Sequence, residues 1–422
     1  MGSSTMEAIV NVRVFDGDVI RPERVVIFKD GRITGLGGAI PADAKVVDGS
    51  GATLLPGLID AHVHTYEAGL SMALKFGVTT ELEMQGANTR HDRAHITHND
   101  ALADVRSSGM ALTPPGGHPS ELFPKDFKPG RRRESEGSTR TSPVVMAHVT
   151  SPEEAVAVIP KLIAAGSDYI KFMVDDGCVG GHPGLPMLDQ ATLAAGVEAA
   201  RKHGMLTIAH TLTVEATQMS LDAGIQGFAH LFMDRPHTKE IVRDIAQSGA
   251  FVVPCVALNA SMIGITGASL ADDPRVGPLL DEAWDRTLRS SFNHYPQGNL
   301  DDVLASVKAL YDAGVELLIG TDVSQPLPFL GGLAHGASVH QEMQYFVQAG
   351  VPPIAALRAA TAATARRFGL LDRGRIAPGL RADLLLVEGD PTTNISNTLN
   401  IRAIWRRGTR VAAPLTSLPV AP

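Results

Sequence analysis

Leu54-Leu55-Pro56-Gly57-Leu58-Ile59-Asp60-Ala61-His62-Val63-His64 is an apolar run that closes on two histidines one residue apart. Side chains alternate faces along a strand, so positions 62 and 64 point the same way and both imidazoles can reach one cation. Two hydrogen-bonded structural histidines would have the same spacing, so the rest of the chain decides between the readings.

Working outward, the 422 residues carry 44% hydrophobic and 19% charged side chains, a globular composition with no run near the ~18 apolar residues of a membrane span. The net charge of −8 argues against nucleic-acid or anionic-membrane partners, which favour a basic face, and leaves a small-molecule substrate as the expected partner. Arg131-Arg132-Arg133 lies among Pro, Gly, Ser and Glu and reads as a solvated loop. Cys178 and Cys255 alone make no disulfide framework, and no signal-peptide pattern opens the chain, so a cytoplasmic protein is expected. Met1-Gly2-Ser3-Ser4-Thr5 reads as an expression scar ahead of a second start at Met6.

Before the histidines the chain reads as short strands: Ala8 to Phe15, Val25 to Phe28, Arg32 to Leu36 and Lys45 to Asp48. That texture returns at Asp383 to Val387 and Ile401 to Trp405, so residues 1–56 and 375–422 are expected to share one small β domain. Between them, strand-like runs alternate with helical segments. The runs are Leu58 to His64, Thr79 to Met84, Met110 to Thr113, Tyr169 to Met173, Leu206 to His210, Gly227 to His230, Phe251 to Cys255 and Glu316 to Thr321. Helix starts such as Ser151-Pro152-Glu153-Glu154 and glycine stops at Gly166, Gly204 and Gly224 separate them. Eight β/α units predict an α/β fold, a (β/α)8 TIM-like barrel over residues 57–374.

Barrel active sites lie at the carboxyl ends of the strands. There the sequence collects His62, His64, Lys171, His210, His230 and Asp322. Imidazole and carboxylate suit zinc and similar ions, which lower the pKa of bound water to about 7. Lys171 is the odd member, since an ammonium has no lone pair to give and a bare Lys beside metals would be repelled.

With these residues in place, the chain resembles the amidohydrolase superfamily in its imidazolonepropionase-like and prolidase-like branch. The resemblance rests on residues 56–64, Gly77-Val78-Thr79-Thr80, Gly116-Gly117-His118, residues 165–171, Ala209-His210, Gly320-Thr321-Asp322 and the closing Gly374-Arg375-Ile376-Ala377-Pro378-Gly379-Leu380-Arg381-Ala382-Asp383-Leu384. It implies a β-sandwich built from the paired ends and two divalent ions, with Zn expected and Mn or Co as alternatives. His62, His64 and Asp322 would bind one ion, His210 and His230 the other, and Lys171, carboxylated by CO2, would bridge them. Hydroxide between the ions would hydrolyse a C–N amide bond of a dipeptide, N-acyl amino acid or related small amide, with Asp322 shuttling the proton. Family analogy also implies a homo-oligomer.

The relatives' His-Ala-His-Gly after the fifth strand is here Ala209-His210-Thr211-Leu212, so the second His is lost. His118, on a Pro-stiffened loop, is a candidate catalytic and substrate-binding residue, and His335 in Gly331-Gly332-Leu333-Ala334-His335-Gly336 a candidate substrate contact, with Glu342 as a structural neighbour. Asp175-Asp176-Gly177 reads as a turn. His91, His95 and His98 read as a solvated helix face. The alternatives are an ester, lactone or phosphotriester hydrolase, a deaminase, and a non-catalytic oligomeric scaffold.

Overall fold

A computed structural model describes residues 6–90, 93–122 and 145–411. The residues read as an expression scar, His91, the Arg131-Arg132-Arg133 loop and the last eleven positions of the expected β domain lie outside them.

Two sheets come from the chain's ends. One orders β5(Arg32–Leu36), β4(Val26–Lys29), β1(Glu7–Val10) and β6(Lys45–Asp48). The other orders β17(Thr409–Arg410), β16(Ile401–Arg406), β15(Leu384–Glu388), β7(Ala52–Pro56), β2(Arg13–Phe15) and β3(Ile20–Arg21). The single strand expected over Ala8 to Phe15 is thus two, broken where Asn11 takes the left-handed φ of 57°, a conformation that Asn tolerates better than most residues.

β7 pairs in parallel with β2 and antiparallel with β15, with Leu54 opposite Leu386 and Leu55 opposite Leu385. Strand alternation sends these neighbours to different cores. Leu54, Leu384 and Leu386 join Val14, Phe28 and Trp405 in a small cluster, while Leu55 and Leu385 belong to the large core with Leu58 and Ile59.

The middle of the chain is α/β, and its strands pair in parallel. One sheet orders β10(Asp104–Ser107), β9(Val78–Glu83) and β8(Leu58–Val63). The other orders β11(Ile170–Met173), β12(Thr207–His210), β13(Gly227–Ala229) and β14(Phe251–Val253). Seven of the eight expected units therefore have a regular strand. The third lies earlier than Met110 to Thr113, where only Leu112 and Thr113 make single bridges. The eighth is an extended segment with bridges at Leu317 and Val323. Side-chain caps start the intervening helices: Ser151 accepts from Glu154 N ahead of Pro152–Ala164, and Asp189 from Thr192 N ahead of Gln190–Lys202. Among the described residues, no helix is long and apolar enough to cross a membrane.

Candidate active site

The six strand-end residues converge. β8 delivers His62, which is buried, and His64, which is partly open. Extended residues 316–321 run beside β8, where Asp322 N donates to His62 O at 2.7 Å. The approach is close enough that a Cβ on Gly320 would lie 2.9 Å from both His62 Cβ and its backbone N. Only glycine fits there. Asp322 Oδ1 consequently sits 2.9 Å from His62 Nε2 and 3.0 Å from His64 Nε2, and its Oδ2 is 3.8 Å from His230 Nε2.

The rings of His64, His62, His230, His210 and His118 form a chain, with successive centroids 5.8, 4.6, 4.6 and 4.3 Å apart. Lys171 on β11 is buried beside them, with no ion-pair or hydrogen-bond partner among the described residues. Burial lowers its pKa to about 8.

Three consecutive strand ends share a costly backbone. His230 (φ 77°), Cys255 (φ 52°) and Asp322 (φ 60°) all sit in the left-handed region, where a non-glycine residue persists only if its surroundings hold it. Such residues cluster at functional sites.

The donor set fits a divalent cation. Burial and the Lys171 charge push His62 down to about 3, burial and the His118 charge push His210 to about 4, and burial takes His230 well down. Burial would raise Asp322, but its interactions with His62 and His230 outweigh it and keep the carboxyl well below its usual range. Neutral imidazoles around an ionised carboxylate are the protonation states that a cation requires. His64 is the exception: burial lowers it, yet the neighbouring carboxylate raises it overall. Its Nδ1 lies 2.9 Å from Gln85 O, so that nitrogen carries a proton, and Nε2 is the one that would turn its lone pair to an ion. Although two ring nitrogens lie within 3.0 Å, Asp322 Oδ1 has no aligned hydrogen-bond partner, and His230 Nδ1 is likewise buried without one. Orphaned atoms of this kind call for an explanation, and an ion supplies one.

His210 Nε2 meets Asp175 Oδ2 at 2.8 Å, which leaves Nδ1 to face the site. The sequence reads Asp175 only as part of a turn. It does accept from Gly177 N, but its second oxygen orients His210. The Asp-Gly signal hid that second role. Burial raises Asp175, and the His210 contact overrides this to hold it at about 2. His118 stacks on His210, and its Nδ1 is 2.5 Å from Glu121 Oε1, so the Pro-flanked loop does bring it to the cluster.

His335 lies apart from this cluster of rings, packed against Trp284 and Tyr66. It is fully buried, its Nδ1 is 2.8 Å from Glu81 Oε1 and its Nε2 is 2.9 Å from Ser324 O. Both ring nitrogens are engaged inside the protein. Glu342 is also buried, its carboxylate accepting from Val256 N and Ala257 N. His95 is exposed beside Glu67, and His98 bonds Ala94 O on the short helix Ala94–Thr97.

Two supports escaped the sequence reading. Asp60 accepts from His62 N, Thr321 N and Thr321 Oγ1, tying β8 to the segment that carries Asp322. Cys255 places Sγ 3.5 Å from His62 Nδ1.

Residues 53–411 match the model of the Amidohydrolase family, and the chain belongs to that family of hydrolases. It is similar to an adenine deaminase of Gluconobacter oxydans (strain 621H), 25% identical over 410 residues, covering 93% of this chain but only 57% of that protein's length. It is also similar to an imidazolonepropionase of Deinococcus deserti, 23% identical over 421 residues and covering 92% of each. A solved Xaa-Pro dipeptidase with bound methionine in its active site shares the fold at a TM-score of 0.70 and 20% identity, covering 96% of this chain and 99% of that one. The family generally uses metal ions, which the clustered His and Asp ligands here suit.

Proposed function

We propose that this chain is a binuclear metal-dependent hydrolase of a C–N amide bond, with dipeptides and N-acyl amino acids as the substrate class. The observation that carries the reading is the convergence of His62, His64 and Asp322 Oδ1 without a proton aligned between them, beside a buried Lys171 that makes no ion pair or hydrogen bond among the described residues. One ion would be held by His62, His64 and Asp322 and the other by His210 and His230, with Lys171, carboxylated by CO2, reaching both. Zn is the expected metal. Bound there, the ions supply Lewis acidity and a nucleophilic oxygen at neutral pH.

The chain's own residues do the rest. Asp322 accepts the nucleophile's proton on a carboxylate oxygen and returns it to the leaving nitrogen, a task that needs an ionised acid beside the reacting atoms. Asp175 fixes the His210 ring. His118, held by Glu121 and stacked on His210, binds and orients the substrate from the open side. We read residues 57–374 as a closed (β/α)8 barrel. What supports closure is Leu112 N donating to Lys171 O, Leu318 N to Val252 O and His64 N to Val323 O, across the gaps between the two parallel sheets and the eighth segment. Residues 1–56 and 375–422 would form the flanking β-sandwich.

A second reading, deamination, draws on the similarity to adenine deaminase over 93% of this chain. Metal analysis of the purified protein, followed by a panel of dipeptides, N-acyl amino acids and aminopurines, separates the two. Two ions per chain with amide cleavage is the expected result. One ion with ammonia released from a purine would replace the amide reading by deamination.

A further inference from the structure

We propose that Cys255 is a positioning residue for the metal centre, the sulfur acceptor that fixes the tautomer and ring angle of His62. The inference rests on the reading of His62 as a metal ligand. His62 directs Nε2 at Asp322 Oδ1, 2.9 Å away, and its other nitrogen, Nδ1, faces Cys255 Sγ at 3.5 Å. The two ring nitrogens point in opposite directions, so Cys255 lies behind His62 and not around the same ion. The thiol has its own acceptor, donating to Val253 O at 3.6 Å. With that S–H committed, the sulfur lone pairs accept the proton of His62 Nδ1, which leaves the Nε2 lone pair for the ion.

A metal-bound histidine almost always anchors its far nitrogen in this way. His64 does so through Gln85 O at 2.9 Å. Cys255 is the only candidate recorded for His62 Nδ1 among the described residues.

The backbone supports the same assignment. Cys255 stands at φ 52°, ψ 51°, immediately before helix Val256–Met262, where most L-residues would not choose to sit. The buried Glu342 carboxylate holds that turn by accepting from Val256 N at 2.9 Å and Ala257 N at 2.8 Å. A ring nitrogen of buried His230 also lies within 4.8 Å of the sulfur and of His62, and His230 Nδ1 has no partner of its own. One thiol therefore lies within reach of histidines assigned to the two different ions.

The test is metal retention. Zn-loaded parent, Cys255→Ser, Cys255→Ala and Cys255→Gly proteins are challenged with graded chelator, and the melting temperature of each metal-free protein is measured in parallel. Cys255→Ala should hold zinc about 10- to 100-fold more weakly, the usual cost of losing such a partner. Cys255→Ser, whose hydroxyl can still donate to Val253 O and accept from His62, should recover most of that loss. Cys255→Gly removes the same acceptor but suits φ 52°, so it should weaken retention while disturbing folding less, and it keeps the test decisive if the Ala variant folds poorly. Unchanged retention in the Ala and Gly variants overturns the proposal, including the case in which only the metal-free melting temperature falls, as a pure packing role would give. Thiolate-to-cobalt absorption in the Co-loaded parent, absent from Cys255→Ala, overturns it in favour of direct ligation. If the parent itself retains no metal, the reading of His62 as a ligand fails first, and the inference falls with it.

Discussion

Replacing Asp104 by Asn should cost about 3–5 kcal/mol of folding stability, the range seen when one partner of a buried charge network is removed. Asp104, on β10, is fully buried among guanidinium groups: Arg373 at 2.5 Å, Arg381 at 3.0 Å, Arg106 at 3.4 Å and Arg406 at 4.0 Å. Asp372 and Asp383 share part of that charge, lying 2.8 Å from Arg373 and Arg381 respectively. An amide of nearly the same volume leaves the packing intact, so the loss would be electrostatic. The buried Arg373, Arg381 and Arg406 would then be left with Asp383 and the partly exposed Asp372. Urea unfolding followed by linear extrapolation measures the effect. Asp104→Asn combined with Arg373→Met should recover at least half of it, because a charge leaves along with its partner. Burial alone would raise the Asp104 pKa, but Arg373, Arg106 and Arg381 outweigh it and depress the folded-state value. The carboxylate's contribution is therefore complete above its unfolded pKa of about 3.9 and is lost as the pH falls toward the folded value. The variant should show a flatter acid limb of stability against pH. A loss below about 1 kcal/mol, with the acid limb unchanged, would refute the view that this carboxylate holds the arginines in place.

Asp322→Asn should lower turnover about 10²- to 10⁴-fold, with a much smaller change in substrate affinity; near-normal turnover in steady-state assays moves the proton transfer elsewhere, with His118 next to be tested. Lys171→Ala should reduce both metal content by elemental analysis and activity, and added acetate or propionate should restore part of the rate; retention of two ions at full activity would remove the bridging role. His335→Asn should destabilise the protein by roughly 1–3 kcal/mol, because a buried polar partner of Glu81 is lost. Per folded molecule its KM should be unchanged, and a large rise in KM would reinstate substrate contact.

What the sequence made legible was whatever repeats locally. The i, i+2 histidines, the polar residues closing apolar runs, and the Ser-Pro and glycine punctuation all act within a few residues, and the structure brings His62, His64, Lys171, His210, His230, Asp322 and His118 together. What stayed hidden depends on partners distant in sequence. Asp104-Val105-Arg106-Ser107 looks too charged for an interior strand until Arg373 and Arg381 arrive from the far end of the chain. Glu81 and Glu83 on β9 are both buried, one against His335 and the other accepting from Asn88 and Ser107, partners that local sequence does not announce. Cys255 gave no signal, because a lone thiol closing an apolar run reads as another core residue.

The pairing of β7 also sets a timetable for synthesis. Thr53 Oγ1 donates to Gly389 O, a partner made 336 residues later. At translation rates of about 5–20 residues per second, one edge of β7 waits roughly 20–70 s on the ribosome for its neighbour. That edge is short and ends in Pro56, two features that discourage it from templating foreign strands. The strand that leads directly into His62 and His64 is thus completed by a segment that emerges more than 300 residues after it. Nascent chains stalled before Leu384 should be cut readily by protease within the first 60 residues, whereas chains stalled far enough beyond Arg410 to clear the exit tunnel should resist. Equal resistance in both would mean that the early strands settle without waiting.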